Sequence, residues 1–334
     1  MARTLTQREL NRAVLARQRL LERRSREPLP RVLERLGGLQ AQYAPSMYIG
    51  LWSRVKDVER HAITRGLEKR SLIQATLMRS TIHLVAKADY WPLALAIREG
   101  RRAWWRRARK SAIDMDALAE TARRALADGP LKRAELESLV GKEAFNGLGL
   151  WLDMVRVPPS GTWERRRADL YGLAETWIGP PRPEPGLLVR RYLQGFGPAT
   201  RHEIANFAGV RVTEIDVDTP RLRRFTAEDG AELLDLPRAP LPAADTPAPP
   251  RFLPAWDATL LVHARRALII REEDRPRIFN TKLPQSLPTY LIDGTVAGTW
   301  RYENGRIALD PWDEHDESGV EEEAGALAQY LGDQ

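Results

Sequence analysis

One order of elements recurs three times along this chain, and it narrows the possible folds more than any single motif does. The first instance opens with "TLTQRELNRAVLARQRLLERR". There Thr6 and Glu9 have capping-box spacing, and Leu10, Val14, Arg17 and Leu21 form a stripe at helical period. After the proline break "REPLP", "RVLERLGGLQ" predicts a second helix stopped by Gly37-Gly38, and "DVERHAITRGLEKR" predicts a third. "SLIQATLMRSTIHLVA" then alternates and is rich in β-branched residues, which reads as two strands and a turn. Three helices and a hairpin are the order of a winged helix. A long helix, "KADYWPLALAIREGRRAWWRRARK", follows.

The same order returns in "DALAETARRALADG", "LKRAELESLVG" and "LGLWLDMVRV", read as helices, with "VPPSGTWERRRADLYGL" as the wing. It returns again in "PGLLVRRYLQGFG", "ATRHEIANFAGV" and "EIDVDTPRLRRF", with a strand near "AELLDL" and Gly209 as the turn of a helix-turn-helix. Six prolines between 237 and 251 mark a semi-rigid linker or an extended surface crossing. Beyond it, Asp293-Gly294 and Asn304-Gly305 sit in strongly alternating sequence and predict a β-meander, part of a small barrel-like element, before an acidic helix. The expected organisation is α+β. Winged helices lie at 1–112, 113–180 and 181–236, a linker at 237–251 and a β-rich element with the acidic helix at 252–334.

Charge narrows the partners. Residues 1–110 carry 25 Lys and Arg against 9 Asp and Glu, whereas residues 310–334 carry nine acids and no Lys or Arg. Such a basic segment suits a nucleic acid better than an acidic membrane. Only seven of the 52 basic residues are Lys, a bias that explains arginine over lysine but not the clustering. No run approaches the ~20 apolar residues of a membrane span, and "MARTLTQREL" lacks a secretory core, so a cytoplasmic, nucleoid-associated protein is expected. With no cysteine and five scattered histidines, no metal site is expected, and no cofactor motif appears.

Few residues are left to carry chemistry. Gln40 and Gln42 follow the double glycine, one alanine apart, where they are either the end of a helix or a site at which neutral amides suffice. If 77–85 is a strand, Arg79, Thr81 and His83 share one face, either a solvated wing or a face turned toward phosphate and sugar. Arg101, Arg102, Arg106 and Arg107 surround Trp104 and Trp105; the arginines suit DNA, the tryptophans a packed interior. Arg275, Arg277 and Lys282 lie in 272–288, read as a hairpin tip directed at DNA, while Asp257 and His263 are expected to brace the fold.

In "LGGLQAQYAPSMYIGLWSR", "LMRSTIHLVAKADYW", "FLPAWDATLLVHARR" and "PTYLIDGTVAGTWR" the chain resembles the AlkZ-like winged-helix DNA glycosylases, in the family's order from about residue 4 to 302. Gln40-Ala41-Gln42 matches the two-glutamine form of that family's catalytic motif, found in its antibiotic self-resistance subgroup. Ala264-Arg265-Arg266 departs from the pattern, which has an acidic residue before the arginine. The resemblance implies tandem winged helices and a β-barrel-like element in a C-shaped monomer, with double-stranded DNA bearing alkylated purines across its concave side. It also implies monofunctional hydrolysis of N7-alkylguanine or N3-alkyladenine, bulky adducts and interstrand crosslinks included. The alternative is a winged-helix regulator without catalysis.

Overall fold

The hairpins of the first two repeats are hydrogen-bonded into one antiparallel sheet. Its six strands run Leu39–Gln40, Ile82–Ala86, Leu72–Thr76, Met154–Arg156, Leu170–Leu173 and Leu131–Lys132. The junction is the pair Ala75–Val155, both fully buried. This computed structural model describes residues 3–24, 27–108, 113–215, 221–262, 267, 269–280, 285–316 and 318–332.

The first two repeats have the order helix, strand, helix, helix, strand, strand; in the third an isolated bridge, Ala199–Leu234, stands in place of the first strand and a single turn in place of the third helix. In the first, the helices are Leu29–Leu36, Ala44–Trp52 and Arg60–Glu68. Ala44–Trp52 was not anticipated, because every one of its residues is buried and no amphipathic period marks it. The helix expected to open this repeat, Gln7–Arg17, has its capping box and packs instead on Leu187–Phe196 of the third repeat. Ahead of it, Thr4–Leu5 pairs in parallel with Arg223–Ala227. In the second repeat the third helix is Lys142–Leu148, and "MVR", expected to be helical, is the strand Met154–Arg156. In the third, Thr200 and Glu203 cap Arg201–Ala208 and Gly209 stops it at φ 75°. Of the next expected helix, 214–225, residues 216–220 lie outside the described residues; Val212–Glu214 is a single 3-10 turn, and 223–225 belong to strand Arg223–Ala227, which pairs with Glu232–Asp235.

The C-terminal element is not a barrel. Its strands Arg251–Leu253, Thr289–Ile292, Thr295–Glu303 and Arg306–Pro311 form a linear four-stranded meander, with helix Val320–Gly332 packed against its outer strands. Four strands cannot close around a filled interior; the helix supplies the second layer, through Val320, Ala324, Leu327 and Tyr330. Both expected turns are present, with Asp293-Gly294 and Asn304-Gly305 at positive φ.

Buried polar groups tie these parts together. The Gln18 amide donates to Leu36 O and Gly195 O at 3.1 and 2.9 Å and accepts from Arg54 Nε at 3.3 Å. Arg54, fully buried, donates to Asp257 Oδ1 at 2.8 Å. Helices from the first and third repeats are thereby fixed to the C-terminal element just after its first strand. The proline-rich segment is fixed too: Arg12 donates to Thr246 O and Arg17 to Pro240 O. No helix among the described residues is long and apolar enough to cross a membrane.

Candidate active site

The sequence "LGGLQAQ" is a helix stop that turns directly into a strand. Gly37 ends Leu29–Leu36 at φ 75°, its N–H donating to Leu33 O, and Gly38 continues at φ 83°. Any Cβ at Gly37 would stand 3.1 Å from the Arg191 carbonyl oxygen, and one at Gly38 would stand 3.2 Å from that of Leu84. Glycine therefore serves both the left-handed backbone and the close approach. The chain drops onto strand Ile82–Ala86, where Leu39 faces Leu84 and Gln40 faces His83. Ala41 N–H then donates to Ile82 O at 2.7 Å, and the Gln42 side chain extends the ladder by accepting from Ile82 N–H at 3.1 Å.

Gln40 is 7% exposed, and its Oε1 accepts from Arg79 Nη2 at 3.0 Å. Gln42 is exposed. Both amides thus have a fixed orientation, since a flip would set NH2 against a donor. Each oxygen keeps a second lone pair.

Arg79 reaches Gln40 because of a hairpin turn. Residues 77–81 are not the continuous strand the sequence suggested: Met78–Ser80 is a single 3-10 turn in which Arg79 and Ser80 have φ of 53° and 59°. Such conformations cost about 1–3 kcal/mol each and concentrate at functional sites. Arg79, Thr81 and His83 consequently do not line one solvated face. Arg79 points inward, donating also to Phe207 O at 3.1 Å, with its guanidinium 5.4 Å from that ring. Desolvation, reinforced by nearby Arg101, lowers its pKa to about 10. Thr81 Oγ1 donates to Met78 O. His83 is 2% exposed, with Nδ1 3.0 Å from Thr81 O, and burial beside Arg79 lowers its pKa to about 3. A neutral, buried imidazole cannot neutralise a phosphate; its place is beneath the glutamine strand.

The basic helix Lys87–Ala108 divides its arginines between tasks. Arg101, 7% exposed, donates to Ser80 Oγ and Gly209 O, so it braces the same turn from the third repeat's side. Arg102 donates to Leu150 O and Trp151 O, whereas Arg106 and Arg107 are exposed. The two tryptophans also divide: Trp105 is in the core and Trp104 is 46% exposed. Among the described residues neither Arg79 nor Arg101 has a carboxylate partner, which leaves one partly buried and one buried positive charge at the turn that backs Gln40.

Arg275 and Arg277 lie on the short helix Arg275–Ile278, not on a hairpin tip; the hairpin is formed by Phe279–Asn280 and Gln285–Ser286. Arg277 is exposed and sits over Trp312, while Arg275 sits over Phe279. Lys282, His263 and Ala264-Arg265-Arg266 are outside the described residues. Asp257 braces the fold, as expected.

Sequence reading missed the wall opposite Gln42. A pocket of about 290 Å³ is lined by Gln42, Ser80 and Ile82 from the first repeat and by Asn146, Arg156 and Asp169 among others from the second. No motif in the sequence marks these residues, because only the shared sheet brings them to Gln42.

The model of the AlkZ-like DNA glycosylase family matches residues 33–330. The chain belongs to that family. An interstrand DNA cross-link repair glycosylase of Streptomyces sahachiroi is 23% identical over 349 residues, covering 93% of each chain. The solved structure of the Streptomyces sahachiroi DNA glycosylase AlkZ superposes with a TM-score of 0.80 at 20% identity, covering 98% of this chain and 97% of that one. At that identity the superposition establishes a shared fold. This AlkZ-like chain is mixed α+β with several open sheets, and the Gln-Ala-Gln strand lies inside the matched region.

Proposed function

We propose that this chain is a monofunctional DNA glycosylase that hydrolyses the N-glycosidic bond of cationic N7-alkylguanine and N3-alkyladenine, including bulky adducts and interstrand crosslinks. One observation carries the reading: two oriented amides, Gln40 and Gln42, stand at the edge of a sheet, backed by Arg79 and by Arg101 bracing the same turn, neither with a carboxylate partner among the described residues. Alkylation gives the base a positive charge and makes it a good leaving group without protonation. What remains is to place water against C1′ and to stabilise oxocarbenium character there, tasks for preorganised dipoles rather than for a strong acid. Gln42, exposed, holds the water through its second lone pair. Gln40, clamped by Arg79, presents a fixed dipole. The charges of Arg79 and Arg101 make the site electropositive, which attracts the phosphates near the lesion without a direct contact from Arg79.

The element order of the three repeats supports reading them as winged helices, bounded at 1–112, 113–180 and 181–236. On this reading the repeats and the C-terminal sheet form a C-shaped monomer around double-stranded DNA, acting in the cytoplasm without cofactor or metal. The two-glutamine motif supports a role in self-resistance to a genotoxic natural product. The test is base release from an N7-alkylguanine duplex followed by alkaline strand cleavage. Cleavage at the lesion is expected for the native protein and its loss for Gln40→Ala or Gln42→Ala, with DNA binding retained. Binding without release across simple and bulky N7 and N3 adducts would refute the proposal.

A further inference from the structure

The pocket opposite Gln42 has a chemistry of its own. It contains two aromatic rings, Phe145 and Tyr171, but neither offers a free face to a purine. The rings meet edge to face at 5.6 Å, and guanidiniums sit over both, Arg133 at 5.1 Å from Phe145 and Arg156 at 4.8 Å from Tyr171. The single carboxylate of the lining, Asp169, is engaged by Arg167 at 3.2 Å. What is left unsatisfied is a donor. Arg156 is 8% exposed; its Nη1 donates to Thr76 Oγ1 at 2.7 Å, while its buried Nε has no partner among the described residues. Asn146 adds an exposed amide on the same wall.

A donor-rich space of about 290 Å³ beside Gln42 is at the small end of ligand pockets. It has room for a side group and lacks the open ring face that would hold a stacked base. We propose that the pocket receives the substituent carried by the alkylated base, and that it favours substituents bearing carbonyl, ester or hydroxyl oxygens over bare hydrocarbon. This inference rests on the glycosylase reading and deepens it by naming the class of adduct. A buried donor left unpaired costs free energy, so a substituent whose oxygen pairs with it is favoured over hydrocarbon.

The test uses three duplexes, carrying N7-methylguanine, N7-guanine with a β-hydroxy ester chain, and N7-guanine with a hydrocarbon chain of equal length. Single-turnover base release is measured for the native protein, Asn146→Trp, which fills the pocket, and Asn146→Leu, which removes the amide at similar size. Native protein is expected to release the ester-bearing base roughly tenfold faster than the hydrocarbon one, about one hydrogen bond in rate. Asn146→Trp is expected to lose roughly tenfold or more on the ester relative to the methyl lesion, and Asn146→Leu to narrow the preference. The urea midpoint of each variant serves as the control for folding. Equal slowing on all three lesions, or an unchanged preference in both variants, would overturn the proposal. Failure of the native protein to release any of the three would instead sink the glycosylase reading.

Discussion

Arg79→Met separates two roles that the sequence alone confounds. As a phosphate contact, Arg79 would add affinity and little else. In the structure its Nη2 holds Gln40 Oε1 at 3.0 Å from a partly buried position, so it acts through Gln40 as a positioning residue. A hydrogen bond to a charged group contributes about 1.5–3 kcal/mol. If the bond holds the amide in its reactive orientation, that free energy appears in the barrier, and at 1.36 kcal/mol per decade the rate falls roughly 10- to 150-fold. The assay is single-turnover base release at saturating protein, with the salt dependence of DNA binding measured alongside. The expected result is a slower saturating rate with the salt slope little changed. Losing a phosphate contact would instead leave the saturating rate intact and reduce the slope by about one, and that result would refute the positioning argument. Arg79→Lys is expected to rescue only in part, since a single ammonium cannot span Gln40 Oε1 and Phe207 O as the guanidinium fork does.

Three other consequences follow from the same contacts. His83 has a folded pKa near 3 against an ordinary 6.5, so the unfolded chain binds its proton first; this stabilisation is complete above about pH 6.5 and is lost as pH falls toward 3. Urea midpoints should fall with acidification over that window less steeply in His83→Gln, and the native rate profile should lack a histidine step near 6.5; such a step, abolished by this variant, would contradict the burial argument. Asp257→Asn leaves the fully buried Arg54 without its counter-charge and should cost about 3–5 kcal/mol in denaturant unfolding, whereas a loss under 1 kcal/mol would mean the pair is hydrated. Gly38→Ala places a Cβ 3.0 Å from Val85 Cγ1 at φ 83° and should cost about 1–2 kcal/mol, with base release falling as Gln40 shifts; full activity at native stability would show that the turn has slack.

Much of the fold was legible because local physics specified it. The capping box at Thr6–Glu9, the stops at Gly37-Gly38 and Gly209 and the turns at Asp293-Gly294 and Asn304-Gly305 each need only a few adjacent residues, and all are in place. The errors fell where period or locality gave no guidance. Ala44–Trp52 is buried on every side and has no polar face to betray it. The N-terminal helix was correctly read as a helix, but nothing in its own residues encodes its packing on Leu187–Phe196. A barrel was inferred from alternation that a covered, open sheet produces equally well.

The glutamine pair shows the same division. The sequence determined that two amides follow a glycine stop, and resemblance named them as the reactive pair. Tertiary structure decided what holds them: Arg79 reaches Gln40 through a left-handed turn that a strand pattern concealed, and Arg101 arrives from a helix that reads as a basic surface. It also decided that His83 stays neutral and that the second repeat builds the wall facing Gln42. The physical reason is range. Helix caps and turns are settled within a few residues, whereas burial, charge compensation and the shape of a site depend on groups that only the folded chain brings together.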